Sequence, residues 1–184
     1  MSVRQIKKLK ASDICELFDS PNLVLAAESG LAAIEFYNDR IKAIETQVLS
    51  QVACQAEFEL LRTIPGIGNI LGLTIMLEVG DIRRFKKVGN YVSYCRCVKS
   101  INLSNKKKKG EGNRKSGNKH LSWAYVEAAH HAMRSCPVAH RYYQRKKAQK
   151  NGAVATKALA GKLARASYYI MRDKVSYDGE KLFG

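Results

Sequence analysis

Apolar residues recur at helical spacing over most of the chain, and interruptions to that spacing mark out its elements. Ser20-Pro21 supplies an N-cap followed by proline at a first helical position, and nothing as disruptive recurs until Pro65. The spacing predicts one helix of about forty residues, with Gly30 its weakest point. Within it Ala27, Ile34, Ile41 and Val48 recur every seventh residue, as do Tyr37, Ile44, Gln51 and Phe58. This is the two-position seam of a coiled coil or long helical hairpin, apolar for about three heptads before Gln51 and Gln55. One reading packs the seam on another helix, in this chain or a second copy; the other lays an amphipathic helix on the core. Residues 1–19 are mixed in character and predict at most one frayed helix.

Beyond residue 60 the pattern changes. Pro65-Gly66-Ile67-Gly68 sits between two apolar segments of helical spacing, which predicts a tight reversal of the helix-hairpin-helix kind. Gly80 then marks a helix end, and Asp81 is placed to cap a short following turn. Val88 to Val98 is a further apolar segment. From residue 100 to 118 the periodicity is lost, predicting a flexible loop with three glycines. Helical spacing returns from Lys119 to Arg134, is stopped by Cys136-Pro137, and ends in a helix from Ala153 to Lys174. The expected fold is mainly α: a short segment over 1–21, a long assembly helix over 22–60, a helical domain over 61–175 with its basic loop at 100–118, and a tail over 176–184.

Charge sharpens this division. The 184 residues carry 32 Lys and Arg against 16 Asp and Glu, a net +16 with pI near 9.8, and 46% are hydrophobic. A chain of that length suits one domain with an extension. Residues 1–60 are slightly acidic, at −3, so the remainder carries +19. Such a field attracts polyanions, nucleic acid first, then anionic membrane, then an acidic partner protein. No run approaches the apolar length needed to span a bilayer, and residues 1–10 lack the apolar core of a signal peptide. Five scattered cysteines without metal-finger spacing predict neither a disulfide framework nor a metal site, so a reducing cytoplasm is expected. Cys95 and Cys97 read as buried thiols.

Candidate chemistry gathers in the basic part. Backbone amides of Gly66, Ile67, Gly68 and Asn69, at the positive end of the following helix, suit a phosphate group; a plain helical corner is the alternative. The loop cations Lys106, Lys107, Lys108, Lys109, Arg114 and Lys115, with Asn118 at the loop's end, are assigned to nucleic-acid contact, unless the loop is a solvated linker. Arg141, Arg145, Lys146 and Lys147 interleave with tyrosines and join them. Ser104, beside four lysines, has the setting of a hydroxyl nucleophile at a phosphodiester, although most loop serines only hydrogen-bond.

Taken in order, Pro65-Gly66-Ile67-Gly68, Glu78-x-Gly80-Asp81-Ile82-x-x-Phe85, Ser93-Tyr94, Lys115-x-Gly117-Asn118-x-x-Leu121 and Ala128-Ala129 resemble the carboxy-terminal transposase domain of the insertion-sequence-one-ten family, the recombinases guided by a bridge RNA. The resemblance covers about Leu61 to Asp173, and residues 22–60 are similar in kind to the coiled-coil segment before that domain. It implies that Ser104 forms a 5′-phosphoserine intermediate, that DNA and a guide (bridge) RNA are partners, and that copies associate through residues 27–58, in the cytoplasm on the nucleoid. It also implies an amino-terminal resolvase-like domain with four metal-binding carboxylates, for which 184 residues leave no room. No cofactor is therefore expected in this chain, the divalent metal belonging to that domain, and the sequence reads as a partial copy. Three positions depart from the family pattern: Asn105 where Ser-Gly is usual, Arg96 for a glycine and Lys99 for a proline. Two rival readings are a non-catalytic helix-hairpin-helix module that binds DNA or RNA, and a basic protein docked on an acidic partner through its long helix.

Overall fold

The computed structural model describes residues 3–6, 9–52, 55–98, 101–104, 107–111 and 116–183. It is mainly α, as expected, and divides into two compact units, Met1–Val48 and Leu49–Gly184. No helix among the described residues is long and apolar enough to cross a membrane.

The first unit holds α1 (Val3–Ile6), α2 (Ala11–Leu17) and most of α3 (Pro21–Val52). Two short helices thus stand where one frayed helix was expected. Pro21 opens α3 as its spacing predicts, and the Ser20 carbonyl accepts from the amides of Leu23 and Val24, both at 3.0 Å. Gly30 does not interrupt the helix. Of the seam, Ile34, Tyr37, Ile41 and Ile44 are all exposed.

The forty-residue helix is in fact two. α3 ends at Val52, and α4 (Ala56–Arg62) begins after Gln55, whose backbone is extended. Phe58 is accordingly no seam residue: it is buried in the second unit, its ring packed on Gly72. Burial of Phe58 and Leu61 outweighs the small propensity gain of an unbroken helix, since each large apolar side chain removed from water contributes about 2 kcal/mol.

The second unit is organised around α9 (Gly152–Asp173), which packs on α4, α6 (Val88–Tyr94), α7 (Lys119–Ser135) and α8 (Pro137–Gln149). One helix can meet so many neighbours because the contact faces are made of small residues: Ala124, Ala128, Ala129 and Ala132 on α7, and Ala155, Ala160, Gly161 and Ala164 on α9, are all buried. α5 (Asn69–Val79) lies on α4 and α7, and α10 (Gly179–Phe183) lies on α8. Volume lost to alanine is restored by Tyr91, Tyr125 and Tyr168, whose polar ends are satisfied: the hydroxyls of Tyr91 and Tyr125 share a hydrogen bond, and Tyr168 donates to the Phe85 carbonyl at 2.9 Å. Burial drives the phenol pKa of both Tyr91 and Tyr125 well above the usual value.

The stretch expected to be a flexible loop contains an antiparallel ribbon, β1 (Ile101–Ser104) with β2 (Lys107–Glu111). Asn102 faces Gly110 but Leu103 faces Lys108, so the register slips by one residue between them. Backbone pairing of this kind needs no apolar face, which is why no periodicity announced it.

Candidate nucleic-acid interface

The turn between α4 and α5 spans residues 63–68, and its two glycines answer to different constraints. Gly66 has φ +89°, and a Cβ there would overlap the Ala128 carbonyl oxygen and come within 2.8 Å of the Ala132 nitrogen. It is glycine because the turn rests on the backbone of α7. Gly68 is exposed, with φ −95°, and a Cβ would meet nothing within 4 Å. Neither the conformation nor the packing of this chain requires glycine at that position.

Gly68 is also the N-cap of α5. No side chain caps that helix, and its backbone ladder starts with Gly72 donating to the Gly68 carbonyl at 2.8 Å. The amides of Asn69, Ile70 and Leu71 therefore precede the ladder at the positive end of the helix. Their residues lie among 62–71, which with His131 of α7 line an open groove of about 580 Å³. Ile67 also lines this groove; its side chain is buried and its amide donates to the Ile64 carbonyl at 3.0 Å. Arg62 enters the groove held by Glu59 through paired bonds of 2.8 and 2.9 Å. His131, in contact with Arg134 at 3.3 Å, had no signal in the sequence beyond its place on the polar face of α7.

A second cluster closes the root of the ribbon. Gly117 has φ +86°, and a Cβ there would lie 2.5 Å from the Tyr94 carbonyl oxygen. The next residue, Asn118, donates its amide to that carbonyl at 2.7 Å. Its side-chain oxygen caps α7 by accepting from His120 and Leu121 at 2.8 and 3.0 Å, and its side-chain nitrogen donates to Glu78. Asn118 thus ties the segment after the ribbon to α6, to α7 and to Glu78. On the opposite side Arg96, at φ +56°, donates to the carbonyls of Ser116 at 3.0 Å and Gly117 at 2.8 Å. The glycine usual in the resembled family fits this left-handed backbone, and the arginine offsets its strain with those bonds. Arg84 stacks over Phe85 and Tyr94, 4.6 and 4.8 Å from their ring centres. Hydrogen bonds from Asn118 and Arg84 hold the Tyr94 phenol below its ordinary pKa.

Beyond this root, Ser104 is the last residue of β1 and faces Lys107 of β2. Lys108 and Lys109 follow on β2, whereas Lys106, Arg114 and Lys115 lie outside the described residues. On α8, Arg141, Arg145 and Lys147 are exposed and Lys146 is half-buried. The Tyr142 ring has Arg145, Lys162 and Lys146 at 5.6, 5.7 and 6.0 Å. Cys95 and Cys97 are buried, as expected, and burial pushes the Cys97 thiol up to about 12. Among the described residues no three His, Cys, Asp or Glu side chains converge as a metal would require.

These features coincide with a known family. Residues 58–144 match the model of the family described as Transposase IS116/IS110/IS902, a span that takes in the α4–α5 turn, the ribbon and α7. The chain is also 26% identical over 160 residues to the insertion element IS110 uncharacterized 43.6 kDa protein of Streptomyces coelicolor. That alignment covers 85% of this chain and 38% of the relative, so the chain spans well under half of the relative's length. Residues 58–144, just under half of the chain, thus resemble a transposase domain of the IS116/IS110/IS902 family.

Proposed function

We propose that this domain grips DNA and acts in transposition by serine-mediated strand exchange, with Ser104 as nucleophile. The observation that carries the reading is the placement of Ser104. It ends a strand of a lysine-rich ribbon whose root is clamped by Glu78, Tyr94 and Asn118, residues of the motif set that resembles the family. In the proposed step the Ser104 Oγ–H attacks a phosphodiester phosphorus. An Oγ–P bond forms and the P–O3′ bond breaks, leaving a 5′-phosphoserine and a 3′-hydroxyl that takes up the proton. Lysines of β2 offset the charge that builds on the phosphorane oxygens. A divalent metal, where the full reaction uses one, would be held by carboxylates beyond the described residues.

DNA is held by the amides at the start of α5 and by the cations of the ribbon and α8, contacts that position the backbone without reading sequence. A guide RNA would meet the same cationic surface, and copies of the chain associate through the exposed seam of α3. Incubation with a nicked suicide DNA, with a carboxylate domain supplied in trans, should yield a covalent protein–DNA adduct that Ser104→Ala abolishes. Absence of any adduct would remove the catalytic role. The open Gly68 and uncapped α5 favour a second reading, a module that binds without chemistry, and that reading would then stand. Either requires affinity for DNA to fall steeply between 50 and 200 mM salt, by a factor of about 10³ for six phosphate contacts.

A further inference from the structure

α7 connects the two features assigned to DNA. Its first turn is fixed to the ribbon's root through Asn118, and His131, three turns on, lines the groove beside Gly68. Its buried face is Leu121, Ala124, Tyr125, Ala128, Ala129 and Ala132. Diametrically opposite runs a stripe at helical spacing: Lys119, Trp123, Glu127, His130 and Arg134. Glu127, its one acid, and His130 are half-buried; Lys119, Trp123 and Arg134 are exposed.

Trp123 is the chain's single tryptophan and stands 49% exposed. Tryptophan is usually among the better-buried side chains, and an indole left in water forgoes the contribution its area would make to the core. Nothing in the packing of α7 calls for it on this face. The surroundings decide what covers it: residues 83–174 hold 24 Lys and Arg against three Asp and Glu, a field that draws nucleic acid and repels basic surfaces. From Lys119 to Arg134 the helix rises about 22 Å. A stacked strand advances about 3.4 Å per nucleotide, so the stripe spans about six to seven nucleotides.

We propose that the exposed face of α7 is a track for single-stranded DNA between the ribbon and the α5 groove, with Trp123 stacking on one unpaired base. The inference rests on the DNA-binding reading above. It adds a preference for unpaired over duplex DNA, because an indole projecting from a convex helix face reaches a base plane only where the base is free to leave its partner.

The single indole makes its own reporter. Full-length protein is titrated with a dye-labelled single-stranded oligothymidylate and with a blunt duplex, reading dye anisotropy and tryptophan fluorescence together. Single-stranded DNA should quench the indole saturably, in step with the anisotropy, and the duplex should bind with little quenching. Trp123→Ala should weaken single-strand binding about tenfold while Trp123→Phe retains most of it, both keeping wild-type circular dichroism and duplex affinity. DNA that binds by anisotropy without altering the indole, or equal single-strand affinity in Trp123→Ala and wild type, overturns the inference and leaves the DNA-binding reading intact. If neither DNA binds, both fall.

Discussion

Gly66 and Gly68 look alike in the sequence, two residues apart in one turn, yet the backbone asks different things of them. Gly66 is pressed against the carbonyl of Ala128 in a left-handed conformation, so Gly66→Ala should cost at least about 2 kcal/mol in a thermal or urea melt. Gly68→Ala should cost no more than about 1 kcal/mol, the cost of a poorer N-cap residue, because the backbone is already in a region open to alanine and the space is free. It should nevertheless weaken DNA binding severalfold, since a methyl group would stand between a phosphate and the amides of α5. Equal DNA affinity for Gly68→Ala and wild type would show that the turn is only a corner. The sequence makes both residues equally eligible as phosphate ligands. What separates them is the position of α7, supplied by residues some sixty places further along the chain.

Elements were legible where their ends carry local chemistry. Ser20-Pro21 starts α3, Gly80 ends α5, and Asp81 accepts from the Arg83 amide. The break after Val52 and the ribbon over 101–111 were not legible. In the first case tertiary burial of Phe58 decides the geometry; in the second, backbone pairing runs through lysines that show no alternation. An isolated two-stranded ribbon is marginal in water, so its root has to be held from outside. Arg96 is the testable part of that root. Arg96→Gly loses the bonds to Ser116 and Gly117 but relieves the left-handed strain; Arg96→Ala loses the same bonds and keeps the strain. Arg96→Ala should therefore melt lower than Arg96→Gly, by about 1 kcal/mol. The reverse order would contradict the positive φ at this residue.

At the scale of the whole molecule, charge and exposed apolar surface are segregated. The net charge resides beyond residue 60, while α3 carries an apolar seam with Ile41 53% and Ile44 63% exposed, the surface proposed for association of copies. Wild-type protein should sediment as a dimer or larger, and the double substitution Ile41→Glu, Ile44→Glu as a single chain with its helix content retained. If both sediment as single chains, the seam is not an assembly surface. Deep in the second unit, Gly161 brings α9 so close to the Cys97 carbonyl that a Cβ would sit 2.8 Å from its oxygen. Because α9 touches four other helices, its amides should be among the slowest in the second unit to exchange with solvent. The ribbon's root is thus braced against the best-packed helix of that unit. In the proposed reaction, a strand that engages Ser104 would load the ribbon against a fulcrum between Cys97 and Gly117, so recoil of the DNA is resisted by the core rather than by the ribbon itself.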